Sequence, residues 1–358
     1  MPSIMIKDIN KVKKLRYILP LLFTLLFGAC AQKEKPEISH PTHPNVLFIA
    51  IDDLNTWLGC LDAHSQTKTP HIDRLAARGV LFANAHCQAP LCGPSRASLM
   101  TGLRPSTTGI YGMIPDDQIR SDNPATEDVV FLPEYFKHQG YHTMGIGKLF
   151  HRHAPEGLFD ESGGRAKGFG PSPSERFVWD GYGTSDRDNY GRTSTDWGAY
   201  PAEDSLMPDH QSVDWAIERL NRTYDQPFFM GIGFLRPHVP LYVPQKWFDI
   251  HPIDSIEVAP YKADDLDDVP PVALQINDLP MMPTTEWAIE SGEWPNIIQA
   301  YLACISFVDH QVGRLLNALE SREQLTRARQ SPFLLSPLAL SLKDECFGIS
   351  RKWPSGKL

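Results

Sequence analysis

Continuous apolar runs along the chain alternate with stretches of helical period. Residues 45–51 read Asn-Val-Leu-Phe-Ile-Ala-Ile, with nothing polar after Asn45. Such a run predicts a strand buried on both faces of a parallel sheet. Residues 227–234, Pro-Phe-Phe-Met-Gly-Ile-Gly-Phe, predict a second, and residues 141–146 a third. Between them lie stretches of helical spacing at 72–78, stopped by Gly79, at 132–138 and at 213–220. Residues 297–319 keep apolar positions at three- and four-residue intervals and predict one long helix. Strands alternating with helices predict an α/β sandwich with a central, mostly parallel sheet. Two segments break the pattern. Residues 154–206 are rich in Gly, Ser, Asp and Arg, and residues 252–295 in Pro and Asp. Both predict long loops, which more often carry binding function than core. In the first, an aromatic-rich stretch at 176–200 with Trp179, Tyr182 and Trp197 would suit stacking against a sugar ring.

The chain has 358 residues, 42% apolar and 22% charged, enough for one large domain or two ordinary ones. Its formal net charge of -9 argues against general nucleic-acid binding. An anionic substrate would have to be met by local basic groups. The first 30 residues read as an export signal. Lys7, Lys11, Lys13, Lys14 and Arg16 precede an apolar run at 17–29, too short to span a bilayer. The run ends in Phe27-Gly28-Ala29-Cys30, which resembles a bacterial lipobox with Phe27 where leucine is usual. The expectation is a lipoprotein anchored at Cys30, in the periplasm or at the cell surface, touching the membrane through lipid only. An ordinary cleaved signal is the plainer reading. Residues 31–44 are polar with three prolines and read as a linker. The spacing of the six cysteines gives no zinc pattern. A Cys60–Cys87 disulfide would be open to an exported chain, but sequence does not assign it.

Candidate chemistry clusters where strands end, since ligands of parallel sheets gather beyond the carboxyl ends of the strands. Asp52 and Asp53 follow the first strand. Adjacent carboxylates repel unless a cation relieves them, and hard oxygen ligands suit Ca²⁺ or Mg²⁺. Lys148 and His151 follow the 141–146 strand; Lys148 is a point charge suited to an anionic oxygen. Arg236-Pro237-His238-Val239-Pro240 follows the 227–234 strand, in a turn that would hold His238 rigidly. Taken singly, these are a solvated acidic turn, a surface lysine with a surface histidine, and a structural loop histidine. The last feature is Cys92-Gly93-Pro94-Ser95-Arg96, running into Ala97-Ser98-Leu99-Met100-Thr101-Gly102. Taken alone, it is a buried cysteine ahead of a Gly-Pro turn into a helix.

Together these landmarks resemble the type I sulfatase family, closest to its iduronate-2-sulfatase-like branch. The signature is Cys-x-Pro-Ser-Arg followed by small residues and Thr-Gly, at 92–102. Supporting pieces are Pro70-His71-Ile72-Asp73-Arg74-Leu75-Ala76, Thr101-Gly102-Leu103-Arg104-Pro105 and the stretch 307–316. The resemblance covers residues 44 to 320 and implies an alkaline-phosphatase-like sandwich, with a catalytic domain over 45–320. It also implies that a formylglycine-generating maturation enzyme oxidises Cys92 to an aldehyde whose hydrate attacks sulfur. Asp52, Asp53 and the residue at 92 would bind Ca²⁺ or Mg²⁺, which lowers the pKa of the nucleophile. Arg96 would hold the hydrate, Lys148 and His238 the sulfate oxygens, and His151 the second hydroxyl. The substrate implied is a sulfated carbohydrate.

Past Glu320 the resemblance stops. The family's Asp-His-Gly or Asp-Asn-Gly ligand segment and the lysine after it do not appear; Asp209-His210 and Asp309-His310 lie in segments the family places earlier. Residues 321–358 show no clear period. Phe347 to Lys357, read in a shifted frame, can spell a segment like one the family carries. The expectation is a C-terminal part that is missing or scrambled by a frameshift near residue 321. The sheet would then lose a central strand, and the cation site would be incomplete and activity impaired. Two other readings stay open: a phosphoesterase on the same scaffold, and a non-catalytic remnant or binding module.

Overall fold

A computed structural model describes residues 43–179, 195–277, 282–326, 333–335 and 339–340. The signal, the lipobox at Cys30 and nearly all of the linker lie outside the described residues. In chain order the main elements are β1 (Asn45–Ile51), α1 (Pro70–Arg78), α2 (Cys92–Thr101), α3 (Leu132–His138), β2 (His142–Gly147), β3 (Glu161–Gly164), β4 (Trp197–Ala199), α4 (Pro208–Leu220), β5 (Phe228–Phe234), β6 (Leu241–Val243), α5 (Trp294–Thr326), β7 (Phe333–Leu335) and β8 (Ala339–Leu340).

The main sheet runs β3-β2-β5-β1-β7, with β8 also beside β1, and every pairing is parallel. β1 and β5 are buried along their whole length. Successive side chains of β1 go to opposite faces. Leu47, Ile49 and Ile51 join a core with Ile72 of α1, Val213 and Leu220 of α4, and Phe307 and Leu315 of α5. Val46, Phe48 and Ala50 join a second core with Ala97 and Met100 of α2, Phe131 and Tyr141. Helices on both faces explain why these strands are apolar at every position. Each fully buried Leu, Ile or Phe contributes roughly 1.5–3 kcal/mol.

The central strands fall where periodicity puts them, and the helices extend further. The helix expected at 213–220 begins at Pro208, and that expected at 297–319 spans 294–326. A cap from distant chain hides the start of α1. Asp309, within α5, accepts hydrogen bonds from the backbone N–H groups of His71 (3.1 Å) and Ile72 (2.8 Å) at the start of α1. Asp209 does the same for Leu235 (2.7 Å) and Arg236 (2.9 Å). The segments read as loops hold β3, β4 and helical turns at Pro271–Asn277 and Thr285–Glu290. In the second of those turns the Thr284 side chain caps the N-terminus, accepting from the N–H of Trp287 (3.2 Å).

Two expectations change, and one open possibility closes. Trp179 and Trp197 are buried and pack against Trp287 at ring separations of 4.8 and 6.2 Å, so neither is presented for sugar stacking. Their apolar rings complete the core beside β4, while Tyr182 lies outside the described residues. Cys60 and Cys87 are not joined to each other in a disulfide. β1 is paired on both sides, with Asn45 opposite Phe333 and Ala50 opposite Ala339, so it is not left as an open edge. Most of the 321–358 tail lies outside the described residues. No described helix is long and apolar enough to cross a membrane.

Candidate active site

β2, β5 and β1 are neighbours, so their carboxyl ends deliver Lys148, His238 and Asp52 to one place. The approach is close because two glycines face each other. A Cβ on Gly147, whose φ is 78°, would lie 2.1 Å from the carbonyl oxygen of Gly233. Only glycine accepts both that contact and that dihedral without strain. The N–H of Lys148 then donates to Gly233 O at 2.8 Å, and the N–H of Asp52 to Phe234 O at 3.3 Å.

Asp52, Lys148 and Arg96 form a fully buried charge cluster. Arg96 Nη2 meets Asp52 Oδ1 at 2.7 Å, and Lys148 Nζ pairs with Asp52 Oδ2. Lys148 has no exposed side-chain surface, so it is not the surface lysine of the plainer reading. Burial works to raise the Asp52 pKa, but Lys148, then Arg96 and His238, outweigh it and hold the carboxyl well below its usual range. Arg96 also donates through Nη1 to the carbonyls of Lys148 and, at 3.4 Å, Leu149. Arg96 therefore fixes the chain that carries Lys148 as well as balancing Asp52.

Cys92 is the first residue of α2 and is buried. Its Sγ lies 3.2 Å from His151 Nδ1. Burial foremost, and then the Lys148 charge, lower the His151 pKa to about 4, so the ring is a neutral base at pH 7. Two residues that sequence reasoning missed position it. The Asp116 carboxylate accepts from the backbone N–H groups of His151 (3.1 Å), Arg152 (2.6 Å) and His153 (3.1 Å). Arg165 Nη1 donates to His151 O at 2.5 Å. Asp116 opens a short 3-10 turn beside Asp117, and Arg165 lies in irregular chain just past β3, so neither stood out by spacing.

His238 is stacked on Phe169, with ring centroids 4.5 Å apart and planes 9° from parallel. Its Nδ1 lies 2.5 Å from Val239 O, a carbonyl that can only accept, so Nδ1 carries a hydrogen. Nε2 is left facing Asp53 Oδ2 at 3.6 Å. Asp53 itself has a left-handed φ of 55°, uncommon for a residue with a side chain. Its carbonyl accepts from Tyr301 Oη at 2.7 Å, and that oxygen accepts from Asn55 N at 2.9 Å. Arg236 is buried in the same turn, but donates to the carbonyls of Tyr242 (2.9 Å), His238 (3.3 Å) and Phe169 (3.0 Å).

Asp52, Asp53 and His238 each offer a ligand atom within 4.8 Å of the others, and all three are buried. Two adjacent buried carboxylates fit one side of a divalent cation. A Ca²⁺ ion takes six to eight oxygens, of which these residues supply a part. Cys92 is not one of this group; its sulfur faces His151. Thus the structure gathers Asp52, Asp53, Cys92, Arg96, Lys148, His151 and His238 around the same strand ends.

The fold and the site define an α/β sandwich in which an acidic pair and basic side chains at the strand ends surround a buried residue at a helix start. The family model described as Sulfatase matches residues 44–328, and the chain belongs to that family. A protein of Formosa agariphila named Sulfatase is 63% identical over 95% of this chain and 66% of its own length. The iduronate 2-sulfatase of Homo sapiens is 32% identical over 77% of this chain and 51% of its own. The chain spans between half and two thirds of the length of these relatives. The phosphonate monoester hydrolase of Agrobacterium radiobacter shares the fold, with a TM-score of 0.56 at 20% identity over 78% of this chain and 60% of that one.

Proposed function

We propose that the chain is a sulfuric ester hydrolase acting on a sulfated sugar, with formylglycine made from Cys92 as its nucleophile and Ca²⁺ or Mg²⁺ at Asp52 and Asp53. The observation that carries this reading is the buried Cys92–His151 pair beside the Asp52–Lys148–Arg96 cluster. The likeness to iduronate 2-sulfatase supports a sulfated sugar as substrate. An exported, lipid-anchored location and a maturation enzyme as partner belong to the same proposal.

The aldehyde made from Cys92 supplies an oxygen nucleophile in place of the thiol. A divalent cation held by Asp52 and Asp53 would lower that oxygen's pKa and offset sulfate charge. The chain's own groups do the rest. Neutral His151, fixed by Asp116 and Arg165, is in hydrogen-bond reach of the group at position 92 and can take its proton. Lys148 and His238 hold sulfate oxygens as charge builds on the leaving oxygen. Arg96 keeps Asp52 ionised and Lys148 in place.

The test is co-expression with a maturation enzyme, mass spectrometry of the Cys92 peptide, and hydrolysis of an aryl sulfate. The expected results are formylglycine at position 92 and sulfate release above a Cys92→Ala control. An unmodified cysteine, or release that the control matches, overturns the proposal.

A further inference from the structure

Lys148, His238 and Arg165 come from three separate segments, yet one ring touches all of them. The Phe169 ring stacks on His238, with Lys148 Nζ 5.2 Å and Arg165 Cζ 5.8 Å from its centroid. Both cations are within the distance at which the negative face of an aromatic ring attracts them. The backbone is built to hold the ring there. Arg236 is fully buried and donates to the carbonyls of both stacked residues, Phe169 at 3.0 Å and His238 at 3.3 Å. Arg165 Nη2 donates to Gly168 O at 3.2 Å. Gly168 and Gly170, on either side of Phe169, have φ values of 67° and 98°, which turn the chain sharply around that one residue.

We propose that Phe169 is a positioning residue for the anion pocket: its ring holds Lys148, His238 and Arg165 in one cluster before substrate arrives. This rests on the reading of the site as one that takes a sulfate ester. Lys148 is held by Asp52 on one side and by the ring on the other, so the ring helps set where its ammonium sits. A ring face steers a cation without taking up its hydrogen-bond donors, as a further carboxylate would. Phe169 touches no reacting atom in this account; it acts through the residues that do.

The test uses the full chain and two probes that need no turnover. The first is the affinity for inorganic sulfate by calorimetry. The second is the ratio of Cys92 alkylation rates by anionic iodoacetate and neutral iodoacetamide, read on the unmatured chain at one pH. In that ratio the thiol's own reactivity cancels, and a merely structural defect leaves it unmoved. Phe169→Leu is expected to weaken sulfate binding about tenfold and to lower the ratio similarly, while Phe169→Tyr, which keeps the ring face, stays within about twofold of the parent. Should the leucine variant not fold, fluorinated phenylalanines at position 169 keep the shape and weaken the ring face, and affinity and ratio should fall with each added fluorine. A leucine variant equal to the parent, a tyrosine variant as weak as leucine, no trend with fluorination, or a parent that neither binds sulfate nor prefers the anionic reagent would each overturn the proposal. Sulfate binding and reagent preference that depend on the ring, in a matured chain that hydrolyses no sulfate ester, would refute the reaction and leave the pocket standing.

Discussion

Lys148→Met tests whether the buried cluster holds the strand ends together. Asp52 is enclosed by protein and faces two cations, with Arg96 at 2.7 Å. At an effective dielectric of about 20, each such pair attracts by roughly 5–6 kcal/mol. Dehydrating each ion costs several kcal/mol, so the net gain is far smaller than the attraction. Methionine keeps the length of lysine and removes its charge, leaving Asp52 with Arg96 alone. Breaking one buried pair costs about 3–5 kcal/mol, and the surviving Arg96 contact places this variant near the lower figure. The assay is urea unfolding in the presence of a chelator, since Asp52 also belongs to the candidate cation group. The pH dependence follows from the direction of the Asp52 shift. Its pKa is depressed in the folded protein, so its stabilisation is present above the unfolded value and lost as pH falls through the folded one. The gap between parent and variant should therefore be widest near pH 7 and narrow in acid. Adding Asp52→Asn to Lys148→Met should deepen the loss, because it leaves the Arg96 charge buried without its carboxylate partner. Equal unfolding midpoints at pH 7, or a gap independent of pH, would refute the reasoning.

Two further outcomes are expected. Burial raises the Asp309 pKa to about 7, so its stabilisation is complete below the ordinary carboxylate range and is lost as pH rises through 7. Asp309→Asn should flatten the pH dependence of the urea midpoint and exceed the parent at pH 8; a variant that tracks the parent at pH 5 and pH 8 contradicts the shift. Gly147→Ala should cost about 3 kcal/mol or more, because its Cβ would meet a backbone oxygen at 2.1 Å in a left-handed conformation. Thermal unfolding within about two degrees of the parent would show that the strand ends can move apart.

What could be read from the chain follows from what kind of signal each residue leaves. The strands were legible because burial on both faces demands unbroken apolar runs, and β1 and β5 are such runs. Asp52, Asp53, Lys148 and His238 were legible because they sit just past those runs, and Cys92 because its neighbours form a pattern that the sulfatase family shares. Trp179 and Trp197 were misread because aromatic residues among Gly, Ser and Asp look like a binding loop. Nothing local says that Trp287, roughly a hundred residues on, waits to pack against them. The early start of α1 was hidden because Asp309, which holds its first backbone N–H groups, lies far away in the chain.

The residues that escaped notice share one role. Asp116 holds three N–H groups, Arg165 a carbonyl of the same turn, Arg236 three carbonyls, and Phe169 a ring face. None needs a particular spacing from its target, because a backbone group offers itself wherever the chain passes. Chemistry at a strand end constrains the residues that meet the substrate, and these can be found by position. Holding them still constrains only the local geometry, which many arrangements of distant residues could meet. The two histidines show the difference. His151 and His238 were found as candidates, but a free imidazole samples several rotamers. A fixed Nδ1 at 3.2 Å from Cys92, or a ring 9° from parallel with Phe169, exists only because those supports are present. The supporting residues should therefore fail differently from the reactive ones. Substituting Asp116, Arg165 or Phe169 should lower activity by loosening a geometry, and a conservative replacement should recover much of it, whereas no replacement for Cys92 would.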